Sequence, residues 1–267
     1  MALLPKIIFG IASPIVPSVM RITKNIETKS KIDEAQKRHN QNIACLETAK
    51  EKTEEVISSY EKEVSKIRDS FVLFSDLIAE LQNRPQFKPY STYKITLPEV
   101  SISEMKHSPS IPLVIGTGIL FGTTSLLGMV ISSIVSYSLS TKADEVWDEM
   151  RKCEKQITKI NQYLGDLRKC IQDYKKVLKQ VSALYYPRLY TLERILHQDQ
   201  RRNWFSFTPE EQTMVENLAC LVSLLNQMTK AGFLGEEGED GLKKIDRTDT
   251  TIMTEVATDF INSRQWT

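Results

Sequence analysis

From Val146 to Val181, apolar residues recur in alternating steps of three and four: Val146, Met150, Cys153, Ile157, Ile160, Leu164, Leu167, Ile171, Tyr174, Leu178 and Val181. That spacing is the heptad pattern, which winds one apolar stripe along a long helix. A helix with such a seam cannot bury it alone, so the pattern predicts both a helix and a partner for it. A second series fits the same rule. Ile57, Tyr60, Val64, Ile67, Phe71, Phe74, Ile78 and Leu81 alternate in the same way, and Ile43 and Leu46 extend the register upstream, while Lys50 and Thr53 interrupt it.

These stripes divide the chain. Residues 1–21 form an apolar arm, 22–83 a first long helix, 84–141 an intervening head, 142–207 a second long helix with its connection, and 208–267 a capping helix and tail. Asn83-Arg84-Pro85 ends the first helix, because a residue before proline disfavours helical geometry. Tyr186-Pro187 predicts a bend or stop in the second. "TPEE" opens a third helix over 209–231, with Thr208 as N-cap, Pro209 in its first position, Glu211 closing a capping box and Gly232 as C-cap. Met214, Leu218, Leu221, Leu225 and Met228 supply its stripe. "GEEGEDG" reads as a flexible acidic turn, followed by a short helix around Ile252–Ile261. The fold class expected is all-α: an elongated antiparallel helical bundle whose two long helices form a coiled-coil-like stalk of about 80–90 Å. Between the prolines of 84–110, Tyr93, Ile95 and Leu97 alternate with polar residues, which predicts a short β or extended linker.

No Asp, Glu, Lys or Arg occurs between Lys106 and Lys142. Within that run, 111–139 would make a helix roughly 43 Å long, enough for a bilayer's hydrocarbon core. Gly118, Gly122, Ser125, Gly128, Ser132, Ser136 and Ser140 follow in steps of four, three, three, four, four and four. On one helix they would line a narrow face, the kind that lets membrane helices approach closely and cross right-handedly. The expected partners are therefore a lipid membrane and further copies of this chain upon it. A single crossing would leave the two stripes on opposite sides, so two arrangements survive. The run folds back as a hairpin around "FGTTS", or it crosses only after rearrangement. The alternative is a soluble coiled-coil scaffold or adaptor that binds helical protein partners and buries 111–139 as its core.

An apolar, glycine-rich "GTGILFGTTSLLG" head between two long helices resembles the alpha-helical pore-forming toxins of the cytolysin A and haemolysin BL type. The resemblance implies a soluble form with the apolar head tucked away, released on membrane contact and assembled into a ring. An intracellular effector, apolipoprotein-L-like or of the abortive-defence kind, has a similar build. It would suit an N-terminus, "MALLPKIIFGIASPIVPSVMR", whose early Lys6 and three prolines read as a docked or membrane-touching arm rather than a cleaved signal. Localisation is expected at a membrane, with the compartment left open between cytoplasmic and secreted.

Other chemistry is not expected. Lys plus Arg number 35 against 34 for Asp plus Glu, so no global field draws in nucleic acid. His39, His107 and His197 are far apart without ligand spacing, and read as surface or groove residues. "GTGILFG" lacks the third glycine of a dinucleotide loop, since position 121 is Phe. "GEEGEDG" lacks the alternation of a calcium loop. Neither enzyme activity nor a cofactor or metal is expected. Cys45, Cys153, Cys170 and Cys220 read as buried free thiols. Arg201, Arg202, Trp204, Phe205 and Phe207 make a candidate interfacial cluster, which either packs into the bundle end or meets lipid headgroups.

Overall fold

The structure, a computed structural model, describes residues 26–87, 143–238 and 242–263. The arm at 1–21, the alternating residues 93–97 and the uncharged run with its small-residue face lie outside the described residues.

The described chain is mostly helical. Two 55-residue helices dominate, α1 (Ile26–Glu80) and α2 (Ala143–His197). A 3-10 turn (Trp204–Ser206), α3 (Pro209–Met228), two short strands and α4 (Thr248–Ser263) follow. Along α1 the residues facing its partner are Ile57, Tyr60, Val64, Ile67, Phe71, Phe74, Ile78 and Leu81, all buried. Along α2, Met150 through Val181 of the heptad series are buried to 3% exposure or less.

The direction of pairing differs from the antiparallel expectation. Arg38 donates to Glu154 at 3.0 Å, and Asn161 to Cys45 Sγ at 3.9 Å. Arg168 donates to the Ala49 carbonyl at 2.8 Å and to Thr53 Oγ1 at 2.9 Å. Further along, Lys175 meets Ser59, Tyr185 Oη donates to the Ser70 carbonyl at 3.2 Å, and His197 meets Glu80 at 3.2 Å. In each of these contacts, and in Asn42 on Glu154, the α2 partner lies 112–119 residues after its α1 partner. A constant difference means parallel helices; an antiparallel pair would keep the sum constant instead. A heptad stripe is blind to direction, and the preference for antiparallel neighbours holds only for short connections; α1 ends at Glu80 and α2 begins at Ala143, a connection long enough to return the chain to the start of α1. The parallel register has a direct test. Asn161→Cys should form a disulfide with Cys45 within the monomer under mild oxidation, seen as an unreactive thiol pair at unchanged native size. Failure to form it, or bridges only between chains, would refute the register.

The seam also continues where the stripe is interrupted. Thr53 is 2% exposed, and its hydroxyl donates to the Ala49 carbonyl at 2.7 Å while accepting from Arg168. His39 is buried as well, and that burial lowers its pKa, favouring the neutral ring. Arg168, reaching across from α2, supplies the partner that a sequence stripe cannot show.

Pro187 lies inside α2 without ending it. An internal proline costs about 3 kcal/mol, but Leu189, Leu192, Ile195 and Leu196 beyond it are all fully buried. Burying four such side chains outweighs the missing hydrogen bond. α3 starts as its sequence requires. Thr208 Oγ1 accepts from the Glu211 amide at 3.2 Å, and the Glu211 carboxylate accepts from the Thr208 amide at 2.8 Å. It ends at Met228 with Thr229 as C-cap, ahead of Gly232. α3 runs back along α2, from Arg201–Glu211 at one end to Tyr174–Met228 at the other. Its core face is Leu218, Leu221, Val222, Leu224 and Leu225, all at 0% exposure.

Part of "GEEGEDG" is strand rather than flexible turn: Gly235, Glu236 and Glu237 belong to β1 (Leu234–Glu237), which pairs antiparallel with β2 (Lys243–Ile245), Leu234 opposite Ile245. α4 is longer than the 252–261 helix expected. Asp246 Oδ1 accepts from the Thr248 amide at 2.8 Å and starts it four residues early. Met253, Val256, Ala257 and Phe260 bury its inner face. The bundle therefore thickens from two helices to four toward the C-terminal ends of α1 and α2.

Candidate functional site

Two regions stand out: the thin half of the helix pair and the thick half's closed end. In the thin half, the buried apolar residues are seam residues, with Leu46, Cys153, Ile157, Ile160 and Leu164 in one cluster and Ala35 with Met150 in another. Ile43, Ala49, Trp147 and Tyr163 are partly buried against them. The outward surface is mostly polar, and a shallow groove there is lined by Asp33, Gln36, Lys37, Asn40, Gln41 and Ala44. Among the described residues the exposed large apolar side chains are Val72, Tyr190 and Phe205, and all three belong to the thick half.

The closed end gathers the cluster at 201–207. Gln82, just past α1, accepts from the Trp204 amide at 3.0 Å and donates to the Arg202 carbonyl at 2.8 Å. This parallel bridge ties the segment after α1 to the segment after α2. Trp204 and Phe207 are 7% and 5% exposed, and Phe87 stacks edge-on against Trp204 at 6.3 Å between centroids. Arg201 grips Glu211 through two nitrogens at 2.7 and 2.5 Å. Those hydrogen bonds hold the Glu211 carboxyl below its ordinary pKa. Arg202 pairs with Glu80 at 3.7 Å. Trp204 and Phe207 are thus packed into the bundle end, and of the three aromatics only Phe205, 76% exposed, faces outward.

Sequence reasoning missed an aromatic joint between these halves. Tyr60 of α1 and Tyr174 of α2 both meet Phe233 edge-on, at 5.3 and 5.6 Å. Tyr174 Oη donates to the Met228 carbonyl at 2.9 Å, closing the end of α3. Phe233 carried no periodic signal, since it sits between helix and strand. Burial raises the phenol pKa of Tyr60, Tyr174 and Tyr185. The sign follows directly. Unfolded tyrosines ionise near pH 10 while these stay protonated, so stability is intact below pH 10 and falls above it. With three protons retained, the loss should approach about 4 kcal/mol per pH unit. Tyrosinate absorbance and helical circular dichroism, titrated together, should change in one cooperative step above pH 10. Gradual ionisation with intact helix would contradict this.

Of the remaining sequence candidates, Cys153, Cys170 and Cys220 are buried, but Cys45 is exposed, because it lies beside the seam rather than in it. His197 is exposed beside Glu80. His107 lies outside the described residues. Among the described residues no cluster of His, Cys, Asp and Glu could hold a metal ion. Among them, too, no helix is long and apolar enough to cross a membrane. No protein family matches this chain, and neither does any curated protein or solved structure.

Proposed function

We propose that this chain is a membrane-inserting helical protein that associates with lipid through 111–139, self-associates there, and permeabilises or remodels the membrane. In this reading the α1–α2 pair is an elongated, coiled-coil-like stalk, and the likeness to cytolysin A-type toxins lies in its apolar head rather than in the direction of its helices. One observation carries the proposal. The uncharged run needs an apolar surface, and the thin half of the pair exposes no large apolar side chain among the described residues. A helix rich in Leu, Ile and Val laid on that polar surface would gain little burial energy, whereas a bilayer would take it up. The scaffold alternative, with 111–139 as a buried core, calls for a matching apolar face on the pair.

Purified full-length protein mixed with dye-loaded phosphatidylcholine/phosphatidylglycerol vesicles tests this by co-sedimentation and leakage. Binding with leakage is expected; a protein that stays in the supernatant would remove the lipid reading. Gly128→Leu or Ser132→Leu adds bulk on the small-residue face without lowering apolarity. Binding should survive, while oligomer size and leakage drop at least tenfold. The Leu127→Ile control, off that face, should change neither. Unaltered assembly in Gly128→Leu would remove the small-residue face as an interface.

A further inference from the structure

The parallel register decides which end of the molecule meets lipid. Because α2 trails α1 by about 116 residues throughout, Ile26 and Ala143 begin their helices at the same end of the pair. Two apolar segments of the sequence join the described chain there. The arm 1–21 enters at Ile26, and the uncharged run 111–139 enters at Ala143 with three residues between. Antiparallel helices would have set these junctions at opposite ends, about 80 Å apart. We infer that the Ile26/Ala143 end is the membrane-facing end, that the helix pair stands upright on a lipid surface, and that the α3–α4 end points away from it. The inference rests on the lipid reading above and adds an orientation to it.

Covalent reach supports the assignment. From Leu139 to Ala143 the chain extends at most about 14 Å, so the end of the run stays close to the start of α2. From Phe87, packed on Trp204 at the far end, residues 88–110 reach about 80 Å when extended, the length of α1 itself. The run can therefore meet lipid at the near end, and a fold-back hairpin at the far end is out of reach. The far end is also closed by its own contacts, the Gln82–Trp204 bridge and the Arg201–Glu211 pair.

Full-length protein carrying Cys45→Ser removes the exposed native thiol and leaves three buried ones. Lys37→Cys near one end and Gln198→Cys at the other, both exposed positions, then take a fluorescent donor. Vesicles of phosphatidylcholine and phosphatidylglycerol carry an acceptor on a small fraction of headgroups. Energy transfer from position 37 should exceed that from position 198 at least threefold, with circular dichroism unchanged in both. Equal transfer means that the pair lies flat, and stronger transfer from 198 means that it stands the other way; either overturns the orientation while leaving lipid binding intact. Loss of co-sedimentation in the unlabelled protein would instead remove the lipid reading, and this inference with it.

Discussion

Leu127→Lys combined with Ile131→Lys should abolish membrane insertion while leaving the fold unchanged. A lysine at the centre of an inserted helix costs roughly 2.5–3.5 kcal/mol, so the pair costs about 6 kcal/mol, or four orders of magnitude in partition. Co-sedimentation with vesicles should fall to background, and dye release with it. Helical circular dichroism and the denaturation midpoint should not move, since on the lipid reading the run is no part of the bundle core. If the run is instead the buried core of a soluble bundle, the double substitution should collapse stability before any lipid is added. Substitution is a cleaner test than deletion. Removing 111–139 leaves 26 residues between Phe87 and Ala143, whose extended reach of about 90 Å only just spans the helix pair. A deletion would strain the stalk and mix two effects.

Tyr174→Ala should be among the most destabilising single substitutions in the described core. The ring is 2% exposed, meets Phe233 and Tyr60, and closes α3 through the Met228 carbonyl. Truncating a buried aromatic costs about 3–5 kcal/mol, here at the joint of α1, α2, α3 and the approach to β1. Tyr174→Phe keeps the ring and loses the hydrogen bond, so it should cost about 1 kcal/mol. Urea unfolding followed by circular dichroism separates the two. Near-equal effects would mean that the hydroxyl, not the packing, holds the joint. A loss below 1 kcal/mol for the alanine variant would mean that the two halves are joined elsewhere.

How much of this was legible in the chain depends on whether the signal is local. Apolar spacing marks which side of each long helix is buried, because a helix repeats every 3.6 residues whatever its partner. The start of α3 is equally local: Thr208, Pro209 and Glu211 satisfy its first amides from within four residues. The mostly helical class follows from such patterns. Other features needed the folded molecule. Thr53 and His39 enter the seam because Arg168 and the partner helix surround them, which no stripe predicts. Pro187 stays in α2 because the burial beyond it outweighs its local cost. β1 takes in the first three residues of "GEEGEDG", and neither strand is long enough to show a period. Above all, the direction of α1 against α2 is absent from their stripes, since an apolar seam buries the same area either way. Arg38 on Glu154, Arg168 on Ala49 and Thr53, and the Gln82–Trp204 bridge reveal it, because directional polar contacts of this kind exist only once the helices lie side by side.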